Sequence, residues 1–217
     1  RTHRWLDRCL EWHERSGPPR QAVFGIVQGG VHEDLRRESA QRVAAAAIDG
    51  LAIGGTLGRD KPEMYGVLDM TLPHLPDDAP KHLLGIGEPD DLIEGIRRGI
   101  DVFDCAVPTR LARHGMALAP LPGQRFRFDV RRPAYAEDAA PLVEGCPCPT
   151  CRGHTRAYLQ YLSRAEELTG ARLMAVHNLT FVERLVAEAR EAIAAGAYQP
   201  YARAVLGGAA PWEPPAR

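Results

Sequence analysis

Residues 22–30 read AVFGIVQGG, a short apolar run that ends in a glutamine and two glycines. Similar apolar runs follow at 50–53, 82–86 and 100–105, and the segments between them have the composition of helices, expected over 33–47, 61–72 and 89–99. A further amphipathic helix is expected over 2–15, before the first run. Strands and helices that alternate at this spacing predict an α/β fold in which βα units surround a parallel sheet.

The apolar runs end in groups that suit a ligand. These groups are Gln28 with Gly29-Gly30, Gly54-Gly55, Gly85 with Gly87, and Asp104. In a parallel barrel the active site is built at the C-terminal ends of the strands. Glycine lets backbone amides approach a ligand closely, and a glutamine amide offers a donor and an acceptor to a planar heterocycle. A single Gly-Gly is usually a turn, but such groups at four consecutive strand ends indicate a site.

A second motif is a cluster of three cysteines within six residues, Cys146, Cys148 and Cys151. Thiolates and imidazole are ligands that zinc prefers, and a Cys3His set fills all four tetrahedral positions, as in structural zinc sites. A disulfide with one spare thiol is the alternative, and the spacing favours zinc. His154 and His177 are both candidates for the fourth ligand, and zinc-ligand spacing does not rank them.

Composition excludes several classes of protein. The 217 residues carry 27 basic and 28 acidic side chains, so the net charge of −1 gives no polyelectrolyte signal for nucleic acid. No apolar run approaches the roughly 18 residues of a membrane span, and no signal peptide is recognisable. Reduced cysteines in a metal cluster fit the cytoplasm. Because the chain begins without Met inside a helical pattern, we expect a fragment whose N-terminal part is missing.

In chain order, the motifs resemble those of one enzyme family. They are FGIVQGG (24–30), LAIGG (51–55), LLGIG (83–87), DVFDC (101–105) with PTR (108–110), and Cys-x-Cys-x2-Cys with a later His-Asn pair. Together they resemble the C-terminal part of the tRNA-guanine transglycosylases, the queuine/preQ1 tRNA-ribosyltransferases. The resemblance implies the C-terminal half of a (β/α)8 TIM barrel over 1–115 and a zinc-binding subdomain with closing helices, expected over 153–169 and 178–195, within 116–207. Residues 208–217 are expected to form a disordered tail.

The resemblance also implies an activity and roles for individual residues. The family exchanges guanine in tRNA for a 7-deazaguanine, preQ1 or queuine, and Asp104 corresponds to the nucleophile that forms a covalent ribosyl-enzyme intermediate. The implied base pocket consists of Gln28, Gly54, Gly55, His82, Leu84 and Gly85. The family's fourth ligand to the structural Zn2+ is the histidine of the His-Asn pair, here His177. A homodimer that pairs through the zinc subdomain is implied as well.

RNA contacts are expected beyond the nucleophile, at Arg110 and Arg113. The stretch 97–132 holds eight arginines against three aspartates, a local excess of positive charge that the whole-chain balance hides.

The sequence departs from the family pattern in two places. The loop 54–60 reads GGTLGRD, one residue shorter than usual and with Arg59 where an acid is common, which leaves the choice of 7-deazaguanine open. His82 replaces a tyrosine that stacks on the base, and imidazole would stack more weakly. The family's general acid/base and the aspartate that reads the purine's amino edge would both precede residue 1. We therefore expect the isolated chain to be inactive and, because half a barrel leaves open sheet edges, prone to aggregate.

Two other hypotheses for the function remain open from the sequence. One is a relative that modifies DNA or serves as a non-catalytic partner subunit; the other is a zinc-stabilised RNA-binding module without chemistry. Cys9 and Cys105 are expected to be buried, inert thiols.

Overall fold

The structure, a computed structural model, describes residues 1–55 and 57–213. The chain divides into two compact units. The first comprises Arg1–Ile86 and Glu94–Cys105, and the second comprises Gly87–Ile93 and the chain from Ala106 onward. The boundary expected from the sequence, at 115/116, lies ten residues further along, so that residues 106–115 fall in the second unit.

The first unit is built on a parallel sheet. Its elements are α1 (Thr2–Ser16), β1 (Phe24–Val27), α2 (Glu33–Ala44), β2 (Gly50–Ile53), α3 (Lys61–Thr71), β3 (Lys81–Leu83) and β4 (Val102–Phe103), while α4 (Pro89–Arg97) belongs partly to each unit. The strands lie in the order β1-β2-β3-β4 and every neighbouring pair is parallel. The alternation of strands and helices predicted from the sequence is confirmed.

The burial of the strands follows from this topology. All residues of β2 are buried, as expected for a central parallel strand with both faces covered. Leu51, Ile53 and Leu83 join Val67 of α3 and Val43 of α2 in one core cluster. The core therefore holds the strands in place while their C-terminal ends stay available to build a site.

The second unit is mostly helical and contains a short hairpin. Its elements are α5 (Val107–Arg113), β5 (Met116–Leu118), β6 (Arg127–Asp129), α6 (Pro149–Gly153), α7 (Arg156–Arg164), α8 (Leu168–Ala194) and α9 (Tyr198–Leu206). Strands β5 and β6 pair antiparallel, with Ala117 opposite Phe128. The helix expected over 153–169 is shorter, and the one expected over 178–195 begins ten residues earlier. His177 therefore lies inside α8 and not at its edge.

One local expectation fails in the second unit. Residues 208–213 are not a disordered tail, because Ala210 is buried and Trp212 packs edge-on against Phe181 at a ring-centroid distance of 5.8 Å. Residues 214–217, the rest of the expected tail, lie outside the described residues. In the cysteine segment, Pro149 opens α6, since the fixed φ of proline suits the first position of a helix.

The expectation of a buried Cys9 is wrong. This thiol is exposed on α1, a helix with no fully buried residue, and Cys105 is only partly buried. Among the helices of the described residues, none is long and apolar enough to span a membrane.

Candidate functional site

The candidate site lies along one edge of the parallel sheet, in the first unit. Gln28 follows β1, Gly54 follows β2, Leu84 and Gly85 follow β3, and Asp104 follows β4. Because the strands are parallel neighbours in this order, their C-terminal ends stand side by side. The topology thus brings together the residues that the sequence analysis expects to form a base pocket and the carboxylate of Asp104.

Asp104 is held by two donors on one oxygen. The Nε2 atom of His82 lies 2.9 Å from its Oδ1 atom, and the backbone N–H of Gly85 donates to the same Oδ1 at 3.1 Å. An ionised carboxylate only accepts, so Nε2 carries the hydrogen of the His82 contact. The Asp104 side chain is 59% exposed. The two donors fix its orientation, and the described residues place no hydrogen bond on Oδ2.

Gln28 and the two glycines after β2 lie in contact. Gly55 has φ +81°, and a Cβ atom there would lie 2.3 Å from Oε1 of Gln28. A Cβ on Gly54 would lie 3.0 Å from Cδ1 of Leu84 and 3.8 Å from Nε2 of Gln28. The positive φ favours glycine at position 55, and a side chain there would displace the end of the Gln28 amide.

Helix α2 supplies two polar side chains that hold these strand ends. The backbone N–H of Gln28 donates to Oγ of Ser39 at 3.0 Å. Arg36, one turn earlier, is fully buried and donates from Nε to the Gly30 carbonyl at 2.7 Å and from one terminal nitrogen to the Gly54 carbonyl at 3.0 Å. Burial lowers the pKa of Arg36, but a guanidinium stays protonated in proteins.

Arg36 is the residue that reasoning from the sequence missed. The buried positions of α2 are Arg36, Ser39, Ala40 and Val43, which repeat at the spacing of one helix face. An arginine in a series that otherwise carries small and apolar residues was the available signal.

The loop 54–60 differs from the family pattern. Thr56 lies outside the described residues, and the contacts of Arg59 and Asp60 are described. The backbone N–H of Arg59 donates to Oε2 of Glu63 at 2.7 Å, and its guanidinium approaches the same oxygen at 3.3 Å. Asp60 caps α3 by accepting from the N–H of Glu63 at 3.0 Å. Arg59 is thereby tied to the first turn of α3.

The three cysteines and His177 meet in the second unit. The Nδ1 atom of His177 lies 3.6, 3.5 and 3.3 Å from the sulfurs of Cys146, Cys148 and Cys151. Tetrahedral zinc with S and N ligands at about 2.3 and 2.0 Å separates S from N by roughly 3.5 Å. The four donor atoms therefore already have the spacing that zinc requires, and Cys148, Cys146 and His177 are buried.

Close contacts within the cluster shift the pKa values of its buried donor groups. Burial opposes the charge on His177, yet hydrogen bonds to Cys148 and Cys151 raise the pKa of the imidazole to about 9. Hydrogen bonds from Cys146 and Cys151 hold the pKa of the Cys148 thiol far below its ordinary range. On the other side of the ring, Nε2–H of His177 donates to the Leu118 carbonyl at 2.8 Å, which directs Nδ1 at the sulfurs.

Asn178, the next residue, is fully buried and binds three backbone groups. Its Oδ1 accepts from the N–H of Leu118 at 2.7 Å, and its Nδ2 donates to the carbonyls of Pro108 and Met116 at 2.9 and 3.1 Å. The His-Asn pair therefore fixes both backbone groups of Leu118 and ties α8 to the start of α5.

Most arginines of the stretch 97–132 form ion pairs with carboxylates within the protein, so fewer of them are available to bind RNA than the composition suggests. Five of the eight arginines pair with carboxylates: Arg97, Arg98, Arg125, Arg127 and Arg131. Within the described residues no ion pair is found for Arg110, Arg113 or Arg132, all of which are exposed. Arg110 and Arg113 both lie on α5.

Comparison with known proteins identifies the family. A family model described as Queuine tRNA-ribosyltransferase matches residues 1–209. The chain belongs to this family. The family resemblance drawn from the motifs is thereby confirmed, and the Cys3His cluster is assigned as a structural zinc site.

Curated relatives agree with this assignment. The queuine tRNA-ribosyltransferase of Roseiflexus sp. (strain RS-1) is 48% identical over 207 residues, which are 91% of this chain and 52% of the relative. Those of Symbiobacterium thermophilum and Herpetosiphon aurantiacus are 46% and 48% identical and cover 95% and 93% of this chain, in each case 50% of the relative. The chain spans about half the length of these relatives and matches their C-terminal region.

Proposed function

We propose that this chain acts as the C-terminal half of a tRNA-guanine transglycosylase, which exchanges guanine for a 7-deazaguanine in tRNA. The observation that carries the proposal is the arrangement of Asp104 at the end of β4, exposed and oriented by two donors on Oδ1. Membership of the queuine tRNA-ribosyltransferase family supports it.

The proposed chemistry is a double displacement at the ribose C1′ carbon. Oδ2 of Asp104 attacks C1′ while the C1′–N9 bond breaks and its electron pair leaves with guanine. The incoming base then attacks C1′ and displaces the carboxylate. Covalent catalysis of this kind divides one difficult displacement into two, and a carboxylate suits an oxocarbenium-like carbon. His82 and Gly85 N–H keep Oδ1 occupied, so that Oδ2 is the attacking atom.

The proposed base pocket lies beside the nucleophile. Gln28 pairs with an edge of the bound purine-like base, backbone groups of Gly54 and Gly55 bind its carbonyl, and Leu84 and Gly85 cover one face. The contacts among Gln28, Gly54, Gly55 and Leu84 support this assignment. Because a base must leave its stack to enter such a pocket, the target nucleotide is flipped out of the anticodon loop.

We further propose that the parallel sheet is the C-terminal half of a (β/α)8 barrel and that the enzyme works in the cytoplasm. The half-length match to the relatives and the four parallel strands with their helices support the barrel. The general acid/base that protonates the leaving guanine would come from the N-terminal half. Arg110 and Arg113, exposed on α5, are proposed to bind the tRNA backbone.

A homodimer is the proposed assembly, paired through the helices of the zinc subdomain. Exposed aromatic and apolar side chains on these helices support the proposal: Tyr158 and Tyr161 are 42% and 64% exposed, and Leu168 is 86% exposed. The ring of His154 stacks on Tyr158 at a centroid distance of 5.2 Å. Tyr158 and Tyr161 share one face of α7 at a spacing of three residues, and exposed apolar residues that share a face are typical of a protein interface.

Base exchange is tested by incubating the intact enzyme, with the N-terminal half that the relatives possess, with unmodified tRNA and radiolabelled guanine. Wild type is compared with Asp104→Asn, since asparagine can still accept from His82 and Gly85. We expect label to enter tRNA with the wild type and to fall by at least about 1,000-fold in the variant, together with loss of a covalent tRNA adduct on a denaturing gel.

The same assay distinguishes the two alternative hypotheses for the function. Label that enters duplex DNA in place of tRNA would indicate a DNA-modifying relative. No incorporation by a wild-type protein that still binds tRNA would indicate a partner subunit or a binding module.

A further inference from the structure

We infer that Arg36 is a positioning residue for base exchange, which holds the two halves of the base pocket in register without touching the base. The inference deepens the proposed function and depends on it for the identity of the ligand. It rests on the contacts that one buried guanidinium makes with the ends of β1 and β2.

The guanidinium binds carbonyls from three places. Nε donates to Gly30 at 2.7 Å, and one terminal nitrogen donates to Gly54 at 3.0 Å and to Val27 at 3.3 Å. Val27 is the last residue of β1, Gly30 closes the loop after it, and Gly54 directly follows β2. The Val27 carbonyl also accepts from the N–H of Gly54 at 3.2 Å. Arg36 therefore joins the ends of β1 and β2 at the point where the hydrogen bonds between the two strands end.

These carbonyls belong to the segments that carry the proposed pocket. The glycine loop after β1 lies directly on α2, because a Cβ at Gly29 would lie 2.7 Å from the backbone nitrogen of Arg36. On the β2 side, Gly55 lies close to the Gln28 amide: a Cβ at Gly55 would lie 2.3 Å from Oε1 of Gln28. A shift of the Gly54 carbonyl would thus move Gly55 relative to Gln28, and both residues are proposed to bind the base.

Only arginine suits this task. Its planar fork presents five N–H donors in fixed directions, whereas lysine offers one compact charge on a flexible stem. Lysine at position 36 has a single nitrogen, so it can bind Val27 and Gly54 but has no second nitrogen for Gly30, and its flexible stem does not fix the directions of its donors. The Arg36 side chain is also fully buried, and close packing in the interior favours one orientation of the guanidinium.

The test compares Arg36→Lys and Arg36→Met with Arg37→Met in the intact enzyme. Arg37 is adjacent and exposed, so it controls for loss of one positive charge on α2. We expect the KM for guanine to rise about 10-fold or more in both Arg36 variants, while kcat and the KM for tRNA change less than about 3-fold. A residue with a purely structural role would instead lower kcat through loss of folded enzyme and leave the KM for guanine unchanged.

Amide hydrogen exchange gives a second measurement that does not depend on activity. Arg36→Lys, the milder variant, should speed exchange at Gln28 and Gly54, and Arg37→Met should not. Unchanged exchange at both amides, or an unchanged KM for guanine, would overturn the inference. If the wild-type enzyme exchanges no guanine, the proposed function fails, and the hydrogen-exchange comparison alone decides whether Arg36 joins the strand ends.

Discussion

At the scale of single residues, the pairing of His82 with Asp104 gives the histidine a role that differs from stacking on a base. The contact between Nε2 and Oδ1 is 2.9 Å long, and the imidazole is only 21% exposed. Hydrogen bonds to a charged group contribute about 1.5 to 3 kcal/mol. His82 is therefore placed to orient the carboxylate that we propose as nucleophile.

The two roles of His82 predict opposite results for a pair of substitutions. His82→Phe keeps an aromatic face but removes the donor, and His82→Gln keeps a donor but removes the ring. If orientation of Asp104 dominates, Phe lowers kcat about 10- to 100-fold and Gln retains more activity. Steady-state kinetics with tRNA and guanine measure this order. A phenylalanine variant more active than the glutamine variant would favour stacking.

The residues of the candidate site differ in how far the sequence could predict them. Gln28 and Gly54-Gly55 were recognisable because they stand at strand ends, and the structure brings them into contact. The role of Arg36 was not recognisable, since arginine is almost never fully buried. Its position on the inward face of α2 is the sequence feature that indicates burial. The contact of His82 with Asp104 depends on the register of β3 with β4, which no local pattern encodes.

At the scale of elements, α8 joins the zinc site to the β5–β6 hairpin and to α5. His177 binds the carbonyl of Leu118, and Asn178 binds its N–H as well as the carbonyls of Pro108 and Met116. The backbone groups of Leu118 and the Met116 carbonyl would lose these partners if α8 moved. The helix is thereby fixed by polar contacts as well as by packing.

Asn178→Ala should destabilise the protein by about 2 to 4 kcal/mol, because it leaves buried backbone groups unsatisfied. Zinc content should stay at one per chain, since no ligand is changed. Thr180→Ala is the matched control in the same helix: among the described residues, its hydroxyl donates only to the Val176 carbonyl within α8. Urea unfolding with zinc analysis measures both effects. Equal stability of the two variants would contradict the role given to Asn178.

The elements of the second unit were harder to predict than those of the sheet. Strands β5 and β6 have three residues each, too few for a periodic pattern, and β6 contains an arginine and an aspartate. The hairpin is held in place by Asn178, some 60 residues away in the chain. Long-range contacts of this kind explain why the irregular, arginine-rich stretch gave no strand signal.

At the scale of the whole molecule, zinc is expected to support both folding and assembly. The ligands come from the segment around α6 and from α8, and the proposed dimer surface lies on α7 and the start of α8. Removal of zinc with a chelator should lower the Tm by at least about 10 °C and shift the protein from dimer to monomer. Calorimetry and sedimentation measure the two effects. A dimer that persists after metal removal would separate assembly from the zinc site.

The isolated 217-residue chain is expected to exchange no guanine and to aggregate. Strands β1 and β4 are the edges of the sheet, each with one neighbour, and open edges pair readily with other chains. Co-expression with the N-terminal half found in the relatives should restore solubility and activity together. Base-exchange activity from the purified chain alone would refute the half-barrel proposal.

The adjacency of His177 and Asn178 restricts how this protein can change in length during evolution. Each inserted residue turns a helix by about 100°. An insertion in α8 before His177 would swing the imidazole away from the sulfurs and the amide away from Leu118 in a single event. We therefore expect insertions and deletions among relatives in the connection at 165–167, ahead of α8. We expect none within α8 between Leu168 and Asn178.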